Sequence, residues 1–284
     1  MGYQPPNLTT HNIAYVLNIE EMKLDTESAL LVHFERTVRA HGYRLTFAST
    51  NINSVDDLSE ILSPKTADGV IFSRWYGGKI KNVLSPRLPW ILTSDEYDVD
   101  DDVDLVALDT VQTTRNITEY LLKMGHRQFG VLVGQPDLKY HQGLIGGVEQ
   151  ALQEAKLPPT NLKLIRTWHI SEIGSELLPL LEQADGPTAL IATSPGRAFA
   201  TVYALRCAGY RIPEDVSVVS VVDSERFLAL PPLLTVTDAL GARFAERAVE
   251  RLLEKIDNPD APAQRILLPG NVVERDSVGM PRTA

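Results

Sequence analysis

Short apolar runs of β-type residues alternate with helical patterns along almost the whole chain. The runs lie at residues 13–17, 45–48, 69–72, 90–92, 106–108, 129–133, 162–167, 189–193, 216–222, 265–268 and 272–273. Between them, apolar residues recur at helical spacing, and the longest such stripe consists of Leu240, Phe244, Ala248, Leu252 and Ile256. Strands that alternate with helices predict parallel sheets with helices on both faces, and solid apolar strands fit burial on both sides. The predicted fold class is therefore α/β.

Glycines mark a predicted helix end and a predicted close contact. Thr110 is predicted to cap a helix that stops at Gly125, because a glycine just past a helix readily adopts the left-handed conformation. Gly143, Gly146 and Gly147 fall within or beside another helix start, where close backbone packing explains all three.

In parallel sheets, ligands bind beyond the carboxyl ends of the strands. The residues at those ends are the candidate site: Asn18, Thr50, Ser73 to Tyr76, Asp109, Gln135, Trp168, His169, Thr193 to Gly196 and Asp223. Trp75 and Tyr76 can form an aromatic wall there, although ordinary packing explains an aromatic side chain equally well.

Composition narrows the function classes. The 284 residues carry a net charge of -10 and contain no cluster of lysine and arginine, which argues against direct binding of this chain to DNA phosphates. No apolar run is long enough to cross a bilayer, and the first ten residues do not resemble a signal peptide. The single cysteine, Cys207, permits no intrachain disulfide, fits a cytoplasmic location, and is predicted to be a buried, inert thiol.

The sequence gives only weak signals for a metal-binding or catalytic cluster. The acidic run between Asp95 and Asp104 fits a solvated connecting loop better than a calcium site, which stays the alternative. The six histidines are scattered, and no nucleophile elbow, phosphate loop or dinucleotide fingerprint is present. We therefore predict no enzyme activity, no metal and no cofactor.

Several segments, in order and at matching spacing, resemble the LacI/GalR family of repressors. They are 106–109, 121–127 with its "GHR" signature, 147–152 ("GFxxAL"), 187–192 ("PTAIFA"), 209–219 ("G-IPEDVSVVG"), 231–236 ("PPLTTV") and 273–278 ("VVRESV"). Residues 1–5 are similar to the end of the family's helix-turn-helix headpiece, which predicts a chain that begins at the hinge; a chance proline-rich N-terminus is the alternative.

The resemblance implies a periplasmic-binding-protein-like fold with two parallel-sheet lobes joined by three crossovers. It places a residual hinge at 1–11, an N-terminal lobe at 12–136 plus 238–260, and a C-terminal lobe at 137–237 plus 261–284. It further implies a cytoplasmic homodimer that binds a small effector between its lobes, changes the angle between them, and contacts operator DNA only through a headpiece.

Several positions depart from the family's sugar clamp. Leu144 stands where the family has an arginine, and Ser194 and Pro195 replace an asparagine-aspartate pair. Asp109, Asp223 and the aromatic candidates Trp168 and His169 remain, a set that predicts a less polar, partly aromatic or cationic effector rather than a typical free sugar. A degenerate pocket regulated by a protein partner is the alternative.

The candidate ligand-binding residues are thus Asn18, Ser73, Trp75, Tyr76, Asp109, Leu144, Trp168, His169, Ser194 and Asp223. Two other functions compete with the regulator. A periplasmic-type solute-binding protein shares the two-lobed fold but carries an export signal. An enzyme needs a poised nucleophile or an acid-base pair, and none is visible.

Overall fold

The computed structural model describes residues 9–18, 24–50, 58, 62–73, 79–94, 98–134, 138–229 and 231–282. The predicted hinge similarity at 1–5, most of the predicted helix at 55–62, and Trp75, Tyr76 and Gln135 lie outside these residues. Within the described part, no helix is both long enough and apolar enough to span a membrane.

The chain divides into two compact units, and the first comprises Met1–Ala107 and Gly241–Leu267. Strands β5 and β11 each reach one residue past this division. The elements are β1 (Asn12–Asn18), α1 (Leu24–Ala40), β2 (Arg44–Thr50), β3 (Gly69–Phe72), α2 (Lys79–Val83), β4 (Trp90–Leu92), β5 (Leu105–Leu108), α7 (Ala242–Asp257) and β11 (Arg265–Leu268). The six strands form one sheet in the order β11-β5-β4-β3-β1-β2, and the pairs from β5 to β2 are parallel.

Aromatic contacts join the two long helices of the first unit to its sheet. The Phe34 ring of α1 lies 5.3 Å from the Tyr15 ring of β1 and 6.5 Å from the Phe244 ring of α7, measured between centroids. Ala248 and Leu252 of α7 are fully buried as well. The predicted apolar stripe of α7 is therefore confirmed over its central turns, because these positions face the sheet.

The second unit comprises Leu108–Leu240 and Leu268–Ala284. Its elements are α3 (Thr110–Lys123), β6 (Phe129–Val133), α4 (Lys139–Glu154), β7 (Leu162–Arg166), α5 (Ile173–Leu181), β8 (Ala189–Ala192), α6 (Pro195–Cys207), β9 (Ser217–Ser220), β10 (Thr235–Thr237) and β12 (Val272–Val273). The six strands follow the order β12-β10-β9-β8-β6-β7; β10 and β12 pair antiparallel, and the pairs from β10 to β7 are parallel. Two mostly parallel sheets interleaved with helices confirm the predicted α/β class.

Strand β6 lies inside the second sheet and is buried on both faces. Val131 and Val133 belong to one apolar cluster, whereas Leu132 belongs to the other. Period-two alternation of side chains explains this split, and the two clusters explain why the strand is apolar at every position.

The division by contacts puts residues 261–267 in the first unit and 238–240 in the second, the reverse of the predicted lobes, and it differs most over residues 108–136. The sequence placed this stretch in the first lobe, but β6 pairs with β7 and β8, and the Thr114 hydroxyl of α3 donates to the Leu144 carbonyl of α4 over 2.7 Å. Contacts thus place the stretch in the second unit. The chain passes from one unit to the other at 107/108, 240/241 and 267/268.

Two local predictions are wrong. Asp109, not Thr110, caps α3, because its Oδ1 accepts a hydrogen bond of 2.8 Å from the Gln112 amide. Cys207 is exposed rather than buried. The buried positions of α6 include Thr201 and Leu205, and Cys207 falls on the outward side two residues later. The predicted helix end at Gly125 is confirmed by its positive φ of 102°.

His126 ties the C-terminal segment to the second sheet. The fully buried ring lies 2.9 Å from the Gly279 carbonyl through Nε2 and 2.9 Å from the Thr188 hydroxyl through Nδ1. Because a carbonyl only accepts, Nε2 carries the proton and Nδ1 accepts from Thr188 in the neutral ring. Burial lowers the pKa of His126, the Gly279 bond opposes this, and the charge of Arg127 adds to it.

We expect this histidine to make stability depend on pH. Its folded pKa lies below the ordinary 6.5, so its stabilising contribution is complete above about pH 6.5 and is lost as the pH falls below that value. Urea titrations between about pH 7.5 and 5.5 should show a larger loss of stability for the wild type than for His126→Gln, which retains a donor and an acceptor. Equal pH dependence of the two proteins would contradict the assignment.

Candidate functional site

The carboxyl ends of four adjacent parallel strands meet along one side of the second sheet. Gly134 follows β6, Thr167 follows β7, Thr193 and Ser194 follow β8, and Asp223 comes three residues after β9. We call these residues, with Trp168 and His169, the second-sheet edge. Such an edge is where parallel α/β sheets bind ligands.

Arg197, in the first turn of α6, reaches across the second-sheet edge. Its Nη2 donates to the Thr167 carbonyl over 3.3 Å. A Cβ placed on Gly134 would come within 2.5 Å of that Nη2 and within 3.1 Å of the His141 ring on α4. The guanidinium therefore lies against the end of β6, between helices from opposite faces of the sheet, and glycine at position 134 makes room for it.

The guanidinium of Arg197 is half-buried and incompletely bonded. Its Nε is buried and has no hydrogen-bond partner in the described part of the chain. Burial lowers the pKa of Arg197, with a small opposing effect of Tyr140, but an arginine keeps its charge at neutral pH. A buried donor left unbonded costs about 1–3 kcal/mol, and more when it is charged. A ligand oxygen that accepts a hydrogen bond from this Nε would therefore remove a cost that the unliganded protein carries.

Thr167 adds a second unbonded group. Its side chain is 2% exposed, and its Oγ1 has no hydrogen-bond partner among the described residues. Ile165, two residues earlier on β7, packs in the same cluster as Ala198 of α6. Because side chains alternate along a strand, Thr167 faces the side of the sheet from which Arg197 projects.

Other predicted residues of this unit have different surroundings. Ser194 caps α6 by accepting from the Arg197 amide, and His169 begins the short 3-10 turn Ile170–Glu172. Trp168 is 73% exposed and forms no enclosed aromatic wall. Leu144 is fully buried in the apolar core, so this position presents no group to a ligand.

Both predicted aspartates are already bonded within the protein. Asp223 forms a two-pronged ion pair with Arg275, one arm of which measures 3.0 Å. Asp109 caps α3. Arg275 neutralises the charge of Asp223, which weakens the support for a cationic effector at that residue, whereas the helix cap leaves Asp109 charged.

The first sheet carries three further predicted residues at strand ends, of which Thr50 is the last residue of β2. Asn18 is the last residue of β1. Ser73 follows β3, and both its amide and its hydroxyl donate to the Val16 carbonyl, over 3.1 Å and 3.0 Å. Ser73 thus holds β3 to β1.

The acidic run is only partly solvated. Asp100 and Asp102 are exposed and accept from Lys81 over 2.9 Å and 2.5 Å. Asp104 is 5% exposed and pairs with Arg251, so the prediction of a solvated loop is wrong at this residue. Among the residues that the structure describes, no three of His, Cys, Asp or Glu converge in a way that would hold a metal ion.

Arg197 is a candidate site residue that the sequence analysis did not single out. The candidate stretch Thr193 to Gly196 stopped one residue short of it, because a charged residue in a helix's first turn usually points to solvent. The available signal was its position, one helical turn from a strand end, beside a pair of residues that depart from the family pattern.

Comparisons with known proteins agree on one family. Residues 118–278 match the family model described as a periplasmic binding protein-like domain. The chain is 30% identical over 280 residues to the HTH-type transcriptional repressor PurR of Mannheimia succiniciproducens, covering 95% of this chain and 82% of the relative. It is 26% identical over 247 residues to the HTH-type transcriptional regulator DegA of Bacillus subtilis, covering 83% of this chain and 72% of DegA.

Solved structures share the fold. A LacI-family regulator from Enterococcus faecium with bound ribose superposes with a TM-score of 0.79 at 19% identity, covering 95% of this chain and 100% of that one. At this level of identity the likeness concerns the fold alone.

Proposed function

The chain belongs to the LacI/GalR family of transcriptional regulators, and we propose that it senses a small effector molecule and thereby controls binding to operator DNA. The observation that carries the proposal is its 30% identity to a transcriptional repressor over 95% of the chain. The relatives named above are regulators rather than solute-binding proteins, which favours this function over the periplasmic alternative. They are also not enzymes.

We place the effector at the second-sheet edge. This edge combines the carboxyl ends of parallel strands with an incompletely bonded guanidinium and an unbonded buried hydroxyl. A ligand that bonds these groups in one conformation and not in another shifts the balance between the two, which is how an effector controls a regulator.

We assign DNA contact to a helix-turn-helix segment, the element abbreviated HTH in the names of these relatives. The 284 residues carry a net charge of -10, so they repel phosphates overall. A regulator of this kind works in the cytoplasm, where its operators are.

The experiment for this function has two parts. A thermal-shift screen of sugars, purine bases, amines and organic acids should find at least one compound that stabilises the protein, since a ligand at 100 times its Kd adds about 2.7 kcal/mol. Deleting the gene should change transcription of a small set of genes, and that compound should reproduce or block the change in the wild-type strain. Unchanged transcription, or a screen without any stabilising compound, would count against the proposal.

We also propose that the protein is a homodimer that uses one apolar surface of the second unit. A groove of about 670 Å³ lies there, lined by Ile170, Ser171, Gly174, Leu178, Ala200, Tyr203, Ala204, Cys207 and Ala208. Two of its large lining side chains are exposed, Tyr203 at 68% and Ile170 at 53%, and the 73% exposed Trp168 comes two residues before Ile170 in the sequence. We call this surface the α5–α6 face. Contiguous exposed apolar surface on a soluble protein marks an interaction site.

Replacing Tyr203 by aspartate is expected to dissociate the dimer, because a charge buried against a second copy has no partner there. Light scattering at micromolar concentration should give a mass near twice 31.4 kDa for the wild type and near 31.4 kDa for Tyr203→Asp. Met280→Asp is the matched control, since Met280 is 80% exposed and lies outside the α5–α6 face. A dimeric Tyr203→Asp variant would show that the interface lies elsewhere.

A further inference from the structure

We propose that the effector is an anion, held by a carboxylate or phosphate group against Arg197. This inference rests on the proposed function and specifies the chemistry of its ligand. It replaces the less polar or cationic effector that the sequence suggested.

The first step is the contrast between Arg197 and two other buried arginines. Arg251, 1% exposed, pairs with Asp104, and Arg275, with a side chain 15% exposed, pairs with Asp223. Arg197 has no carboxylate within ion-pair distance among the described residues, and its bond to the Thr167 carbonyl, at 3.3 Å, is long. A half-buried cation without a counter-charge is unfavourable for the isolated protein, so a group that binds there gains from neutralising it.

The second step is geometry. A guanidinium presents its donors in a planar fork that matches carboxylate and phosphate oxygens in a two-pronged arrangement. Gly134 lets the fork lie close against the end of β6, and the buried Oγ1 of Thr167 is a further donor on the same side of the sheet. Arg197 as a whole is only partly buried, so part of its side chain is in contact with solvent.

The third step concerns the groups that a cationic effector would need. A cationic effector needs a free carboxylate, and those of Asp109 and Asp223 already serve a helix cap and an ion pair. Leu144 sits in the core and adds no polar group. Among the described residues, the groups of the second-sheet edge that still lack a partner are thus hydrogen-bond donors and one positive charge.

The experiment compares acids with their neutral counterparts by thermal shift and calorimetry. The carboxylate pairs are glucuronate with glucose, galacturonate with galactose, and succinate with succinamide; the phosphate pair is ribose 5-phosphate with ribose. We expect the acid of at least one pair to bind and its neutral counterpart to bind at least about 30-fold more weakly, the scale for losing one partner of a buried charge pair. The arm that responds tells a carboxylate ligand from a phosphate ligand.

Arg197→Gln should weaken binding of that acid by a similar factor and leave the melting temperature of the unliganded protein equal or higher, because an unpaired buried charge is removed. A purely structural arginine would lower the melting temperature instead. Arg197→Lys keeps the charge without the planar fork and should bind the acid with intermediate affinity. This variant tests the role of Arg197 even if Arg197→Gln fails to fold. Arg206→Gln, an exposed position on the same helix, is the control and should bind like the wild type.

The outcomes separate this inference from the proposed function. Neutral sugars or amines that stabilise the protein as well as the acids do would overturn the anionic ligand and leave the effector function standing. Acid binding that survives in Arg197→Gln would overturn the role of Arg197. A protein that binds nothing in either screen would overturn both proposals.

Discussion

Replacing Asp104 by alanine is expected to lower the free energy of unfolding by about 3–5 kcal/mol, the cost of leaving a buried charge without its partner. The partner is Arg251. Its side chain is 1% exposed and is the largest fully buried side chain among the described residues. Its Nε donates to Asp104 Oδ1 over 2.6 Å, and its Nη2 donates to the Pro262 carbonyl over 2.6 Å. Without this carboxylate, the buried guanidinium keeps only the Glu254 carboxylate, which is 46% exposed and lies 2.9 Å from its Nη1, and Lys255 loses the charge that faces it.

Asp104 also connects three segments of the first unit. It directly precedes β5, it pairs with Arg251 of α7, and its Oδ1 accepts from the Gln264 amide over 3.0 Å just before β11. The Lys255 ammonium lies 3.5 Å from its other oxygen. The residue therefore fixes α7 and β11 against the start of β5, and its loss affects all three contacts at once.

Asp102→Ala is the matched control for this experiment. Asp102 lies in the same acidic run but is exposed and pairs with a partly exposed Lys81, so its loss should leave the free energy of unfolding nearly unchanged. Urea titration followed by circular dichroism measures both variants. Similar midpoints for the two variants would mean that the buried network contributes no more than a surface ion pair. The double variant Asp104→Leu with Arg251→Met should recover part of the loss, because it removes the buried guanidinium together with its buried carboxylate partner.

The fold was predictable because burial dictates the strands directly. Every residue of β3, β5, β6, β8 and β9 is buried, which is why these strands carry no polar side chain apart from Ser217 and Ser220 at the two ends of β9. The family resemblance supplied the two-lobed architecture, and the comparisons confirm the family. The boundary near residue 108 was not predictable from pattern alone, since α3 is amphipathic whichever unit its apolar face contacts.

The candidate site was harder to predict because the sequence gives the residue types and not their partners. Asp223 carried the expected chemistry, but Arg275 lies 52 positions away in sequence and takes up its charge. In α7, the buried Arg251 directly precedes Leu252 of the apolar stripe, but the exposed Arg243 precedes Phe244 in the same way, so the sequence pattern does not single out the buried charge. The bonding state of Arg197 depends on the ends of β6 and β7, which only the folded chain brings together.

Two neighbouring glycines of α4 are expected to respond to alanine with opposite signs. A Cβ on Gly147 would come within 2.1 Å of the Val111 carbonyl oxygen and 2.3 Å of the Thr114 hydroxyl, both on α3. A Cβ on Gly146 would meet no atom within 4 Å. The prediction that close packing explains Gly143, Gly146 and Gly147 therefore holds for Gly147 and for Gly143, whose Cβ would lie 2.0 Å from Thr110 Oγ1, and is wrong for Gly146.

Gly147→Ala should therefore lower the free energy of unfolding by about 3 kcal/mol, the upper end of the cost of overpacking, because a backbone carbonyl cannot move aside as a flexible side chain does. Gly146→Ala should raise it by up to about 1 kcal/mol, the difference in helix propensity between the two residues. The variants lie one position apart on the same helix, so each controls for the other in urea titrations of the two proteins. The loss in Gly147→Ala requires α3 and α4 to be in contact along this line of glycines. If both variants gained stability equally, the two helices would have to be farther apart than the Thr114–Leu144 hydrogen bond of 2.7 Å allows.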